Sequence, residues 1–123
     1  MENNNEIEEV TVGKVMYNKD IINSIIQLAT KEISGVASMA RVSNNPIIKL
    51  VMGKRDNGVK VSFDGGEVVV DVYINIFSDA NIKEIAWRIQ ENIKNNVQNM
   101  MNVKIKAVNV NIVDVDFSNL EKE

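Results

Sequence analysis

Asp114 and Asp116 stand two apart in a stretch that reads as a β-strand, so their carboxylates share one face. Paired carboxylates are a starting point for acid–base work or for holding Mg²⁺. No third group converges on them in the sequence, and a solvated strand end accounts for both. Gly53-Lys54-Arg55-Asp56-Asn57-Gly58 opens with the glycine spacing of a phosphate-binding loop. Val59 and Lys60 then occupy the places of its Lys and Ser/Thr, so the motif fails. A turn before a strand explains both glycines. The chain has no histidine and no cysteine, which removes the usual general base, the usual zinc ligands, the thiol nucleophile and any disulfide. These residues predict no catalytic site, no cofactor and no metal centre. Glu32 falls at the edge of a helical apolar stripe, where hydrogen bonds to nearby backbone or exposure to solvent are its expected fate.

Binding is the chemistry left to these side chains. Val69, Tyr73 and Phe77 lie on the strand face opposite Val68, Val70, Val72, Ile74 and Ile76. They form a candidate self-association face, and the slipped apolar residues of the last strand are expected to add to it. Arg41, Lys49, Lys54 and Arg55 surround a short apolar stretch, a composition suited to an acidic partner or an anionic lipid surface. Trp87, the single tryptophan, sits off the apolar stripe of its helix as a candidate partner anchor. Cover by the 37–57 segment or by lysine stems is the competing reading of Trp87. Aromatic residues on an open sheet can also stack nucleic-acid bases. The glycine-aromatic signature of such sheets is absent from 67–77, and Glu67 and Asp71 on the same face would repel phosphate, which weighs against nucleic acid.

The elements that must position these residues fit in one domain. The chain has 123 residues, 45% hydrophobic and 25% charged, close to the globular average. Its formal charge is −3, which argues against coating nucleic acid through bulk charge. No basic leader and no apolar run near the ~18 residues of a membrane span is visible, so the sequence predicts a cytoplasmic protein with at most peripheral membrane contact. Residues 1–9 read as a disordered acidic tail, 10–118 as a single domain and 119–123 as a flexible end.

Val10–Met16 reads as a strand, followed by a helix capped by Asn18 and running to about Ser34, before Gly35. In the irregular segment 37–57 the sequence predicts a short helix, with Pro46 at its first position and Gly53 just past its end. A hairpin turns at Gly65-Gly66. Its alternation pairs Phe63 with Val68, Val61 with Val70 and Val59 with Val72, and sets Lys60 opposite Asp71. A second helix opens at Asn81 with Glu84 three residues on. Its stripe is Ile82, Ile85, Ala86, Ile89, Ile93, Val97 and Met100. The last strand runs from Val103 to about Phe117, and its apolar phase slips after Ala107 and after Ile112, as β-bulges would cause. The order β-α-β-β-α-β predicts a two-layer α/β (α+β) sandwich, a four-stranded sheet with two long helices on one face.

Gly13-Lys14-Val15 and Ala29-Thr30-Lys31-Glu32-Ile33-Ser34-Gly35-Val36 resemble the opening of the bacterial alkaline-shock-protein family, also called the envelope stress response family. Gly58-Val59-Lys60-Val61, the run from Val69 to Ile74, Asn81-Ile82 with Ile85-Ala86 and Ile89-Gln90, and Val108-Asn109-Val110-Asn111-Ile112 before Asp114-Val115 resemble its second half. The resemblance implies a small cytoplasmic protein of a Gram-positive bacterium, without catalytic residues. It further implies work through a membrane-anchored protein or a lipid-synthesis enzyme at the inner face of the cell membrane, while the candidate self-association face predicts a homo-oligomer.

Overall fold

The hairpin shows how directly the sequence dictates local structure. β4 (Val59–Asp64) and β5 (Glu67–Phe77) are antiparallel, with Phe63 against Val68, Val61 against Val70 and Val59 against Val72. Lys60 stands opposite Asp71. This is the predicted register, and φ is +61° at Gly65 and +86° at Gly66, the positive angles such a turn demands. The structure is a computed structural model that describes residues 7–9, 16–40 and 58–121.

β5 is the centre of the four-stranded sheet. β6 (Ile105–Asp116) lies parallel along one edge, while β3 (Val36–Met39) and β4 share the other. The latter two form one interrupted row, both antiparallel to β5. The hand-over comes at Tyr73, whose carbonyl accepts from Ala40 N–H and whose N–H donates to Gly58 O, each at 2.8 Å. The chain leaves the row at Ala40 and rejoins it at Gly58. The segment that carries Arg41, Lys49, Lys54 and Arg55, together with the expected short helix from Pro46 to Gly53, lies outside the described residues.

The class, the four-stranded sheet and its two helices are as the sequence predicts, but the fourth strand has another origin. Of the expected first strand, residues 10–15 lie outside the described residues, and Met16 belongs to β2 (Met16–Asn18), which pairs with β1 (Ile7–Glu9) in a separate two-stranded sheet. Ile7–Glu9, expected within a disordered tail, thus form a strand. The fourth described strand of the main sheet is β3, which the sequence did not signal. α1 (Lys19–Lys31) stops short of Ser34 because Ile33 N–H turns back to Thr30 O and Val36 N–H to Ile33 O. At the other end, Ser118–Glu121 form a 3₁₀ turn where a flexible end was expected. It is held by Leu120 N–H to Phe117 O at 3.0 Å and by Ser78 Oγ to Asn119 Oδ1 at 3.2 Å.

α2 (Ile82–Met101) carries the chain from β5 back to β6, the crossover a parallel pair requires. Asn81 caps it, its Oδ1 accepting from Glu84 N–H at 3.1 Å. Asn102 ends it in the left-handed region, with φ 54°. Both helices lie on one face of the sheet. Ile22, Ile26, Ile89, Ile93 and Val97 are sealed against Val68, Val70, Val72 and Ile74, all at 0–1% exposure. Each such side chain contributes about 1.5–3 kcal/mol relative to leaving it in water.

The two phase slips of β6 are bulges. Its register against β5 shifts between Val68 and Val69, opposite Ile105 and Ala107, and again between Ile74 and Asn75, opposite Ile112 and Asp114. Their effect differs from the expectation. Each extra residue returns the apolar set to the core side, so Ile105, Val108, Val110, Ile112 and Val115 all pack inward. The outer face of β6 is left with Ala107 beside Val69 and then Asn109, Asn111, Asp114 and Asp116, so beyond Ala107 the slipped residues do not extend an apolar face.

Candidate interaction surfaces

The outer face of the sheet is built on β5, where Glu67, Val69, Asp71, Tyr73, Asn75 and Phe77 alternate with the core positions, each half-buried. Val69, Tyr73 and Phe77 do share this face, as predicted. They stand four residues apart, roughly 13 Å along a strand, with a polar side chain between each pair. They are apolar islands in a polar field. Asp71 accepts from Asn109 Nδ2 at 2.9 Å, and Asn75 Nδ2 donates to Ser38 Oγ at 3.1 Å. Asn111 Nδ2 donates to Val72 O at 3.1 Å. Lys106 meets Asp64 at 2.6 Å and Lys104 meets Glu67 at 3.5 Å, both pairs at the hairpin end. Asn75 Oδ1 is enclosed without a partner.

The carboxylate pair does not converge. Asp114 Oδ1 accepts from its neighbour Val115 N–H and Asp116 Oδ1 from Ser118 N–H, each at 2.8 Å. The Ser118 side chain and backbone both bond the Asp116 carboxylate and hold its pKa below the ordinary 3.8. Glu32 is an exposed acceptor for Asn92 Nδ2 at 2.9 Å, and the same amide donates to Ala29 O at 2.7 Å, tying the end of α1 to α2. Among the described residues no three acidic side chains gather as a metal site. An open hollow of about 550 Å³ beside the start of α2 is crossed by the Glu84–Arg88 ion pair of 2.7 Å.

Trp87 is 61% exposed on the outer side of α2. Its neighbours one turn away are Lys83, Glu84, Gln90 and Glu91. On that same side α2 does something the sequence did not signal. Gln90 Nε2 donates to Val108 O at 3.1 Å, and Gln98 Oε1 accepts from Ile105 N–H at 3.3 Å. Two glutamines, two turns apart, thus reach down to backbone groups of β6. Their spacing on one helix side was the only available hint, and it fits a solvated face equally well. Beneath them runs a groove of about 270 Å³ between α2 and β6. No helix among the described residues is long and apolar enough to cross a membrane.

Comparison with known proteins gives a consistent answer. Residues 7–117 match the family model for alkaline shock protein 23, described as having a cell envelope-related function. The uncharacterized protein YqhY of Bacillus subtilis is 28% identical over 117 residues, covering 94% of this chain and 87% of that protein. The uncharacterized protein YloU of the same organism is 24% identical, covering 87% and 92%. Among solved structures, a MamM-CTD variant superposes with a TM-score of 0.50 at 13% identity, covering 80% of this chain and all of that one. That likeness concerns the fold alone.

Proposed function

The chain belongs to the alkaline-shock-protein family, described as cell envelope-related, and from that premise we propose that it is a non-catalytic interaction protein. It associates with itself and with a protein partner at the cytoplasmic face of the membrane. The observation that carries this reading is the outer face of the sheet. Val69, Tyr73 and Phe77 stand there half-buried, on the face opposite the one that both long helices cover. Apolar anchors set among hydrogen-bonded polar side chains suit a protein partner, which supplies both contacts and complementary donors. Glu67, Asp71, Asp114 and Asp116 on the same face disfavour a phosphate backbone. The lack of histidine and cysteine supports a binding role over a catalytic one.

The test is an affinity pull-down from the native organism with the wild-type chain and Tyr73→Glu as paired baits, read by mass spectrometry. Envelope proteins recovered by the wild type and lost with Tyr73→Glu are expected. A fatty-acid-synthesis enzyme in their place would change the partner class. Saturable turnover abolished by a single Asp or Glu substitution would replace the reading altogether.

A further inference from the structure

The second edge of β6 carries no strand among the described residues. In a parallel ladder, each bonded residue of one strand reaches the two residues flanking its opposite number. Val68 N–H donates to Lys104 O at 2.9 Å, whereas the N–H groups of Tyr73 and Phe77 turn to the β3–β4 side. β5 therefore bonds β6 through its even-numbered residues. With Val70 opposite Val108, Val72 opposite Val110 and Ile74 opposite Ile112, the backbone groups of Val108, Val110 and Ile112 point away from the sheet.

We propose that this edge is built to pair with itself: β6 of one chain against β6 of a second copy, antiparallel, about a two-fold axis through Val110. The inference rests on the self-association read above and names a different surface for it. Its ground is the symmetry of the strand. The core-side positions Ile105, Val108, Val110, Ile112 and Val115 are the same set read from either end. The bulged pairs Lys106-Ala107 and Val113-Asp114 exchange places under the same operation. A bulge ordinarily protects an edge, because its extra residue has nothing opposite it. Here each bulge falls opposite the other, and that mismatch vanishes.

The charges obey the same symmetry. Lys104 and Lys106, which meet Glu67 and Asp64 within the chain, would stand opposite Asp116 and Asp114 of the second copy, so no like charges face each other. Between them, Ala107–Val113 carries no charge, and Val113, 54% exposed, gains Ala107 as a neighbour. α2 runs opposite to β6, since Gln98 reaches Ile105 and Gln90 reaches Val108. Continuing by about a turn sets the exposed Trp87 level with Val110, where the two indoles approach across the axis. Gln90 then guards the edge in the lone chain and swings aside when Ile112 of the second copy donates to Val108 O. The interface is isologous and closes at two chains.

The test measures the full chain by light scattering and sedimentation across the micromolar range. The wild type should dimerise. Val110→Pro removes one outward N–H that its own sheet does not use, so the circular dichroism spectrum should hold while the dissociation constant rises about tenfold or more. Asp114→Lys and Lys106→Asp should each weaken the dimer, and the two together should restore it. Because the chain lacks cysteine, Asn109→Cys mixed with Asn111→Cys should cross-link faster than either alone. If Val110→Pro disturbs the fold, the charge exchange and the cross-link decide. A dimer indifferent to all of these but split by Tyr73→Glu would overturn the edge and leave the sheet face standing. A wild-type monomer throughout would overturn both.

Discussion

Gly58 shows what a single missing side chain secures. Its φ is +80°, and a Cβ there would lie 2.7 Å from Tyr73 O and 3.0 Å from Ala40 O. Both neighbours are backbone and cannot swing away. Gly58→Ala should therefore cost about 1–3 kcal/mol or more in urea unfolding, against a few tenths for an exposed site. Asp116 acts in the opposite sense, by adding a bond. Its pKa lies below 3.8 because Ser118 bonds the charged form. A lowered folded-state pKa means stabilisation that is whole above the ordinary carboxylate value and fades as pH falls through the depressed one. The 3₁₀ turn at Ser118 should loosen under acid, below the range where exposed aspartates titrate. Asp116→Asn should flatten that dependence, followed by amide signals of Ser118 and Leu120 against pH.

The elements differ in how much of their placement can be read from the residues. The β4–β5 register is legible because two alternating runs meet at a turn that only glycines suit, and a slip of one residue would turn every valine to water. The α2 stripe is equally plain from Ile85 to Val97, but its ends are not: Ile82 and Met100, expected within it, are exposed, and Met101 is buried instead. Ile89 is at 0% exposure within it, so Ile89→Ala should cost about 2–5 kcal/mol in chemical denaturation. The bulges of β6 are legible as phase slips, but their direction is not. Whether a slip feeds the inner or the outer face depends on the partner strand, and here the inner face takes every large apolar residue except Val113. β3 was missed because Val36-Ala37-Ser38-Met39 has no alternation and its pairing with the far half of β5 is not local. The reach of Gln90 and Gln98 to β6 is likewise tertiary, and nothing in a glutamine's spacing announces its acceptor.

For the whole molecule, the meeting of Ala40 and Gly58 at Tyr73 is the place where a shorter connection can be made. A Cβ on Gly58 would lie 3.0 Å from Ala40 O, so the two ends of the intervening segment stand side by side. Replacing 41–57 with a short glycine-serine linker should keep the fold, since loop-closure entropy changes slowly with length. A thermal midpoint within a few degrees of the parent would confirm it. The same replacement removes Arg41, Lys49, Lys54 and Arg55, leaving a more acidic protein. Any co-sedimentation with anionic vesicles should fall with them, and binding that persists would assign it to another surface.

That shared row on β5 also sets an order in time. The β4 half closes through a two-residue turn, while the β3 half pairs residues more than thirty positions apart in the chain, such as Met39 with Ile74. Short-range contacts form at little entropic cost and long-range ones follow once their anchors exist. Tyr73, bonded on one edge to both halves, stands where the early part of the molecule meets the late one. Substitutions in the hairpin at Val61 or Val70 should slow refolding. Substitutions in β3 at Met39 should leave the refolding rate nearly unchanged and hasten unfolding instead.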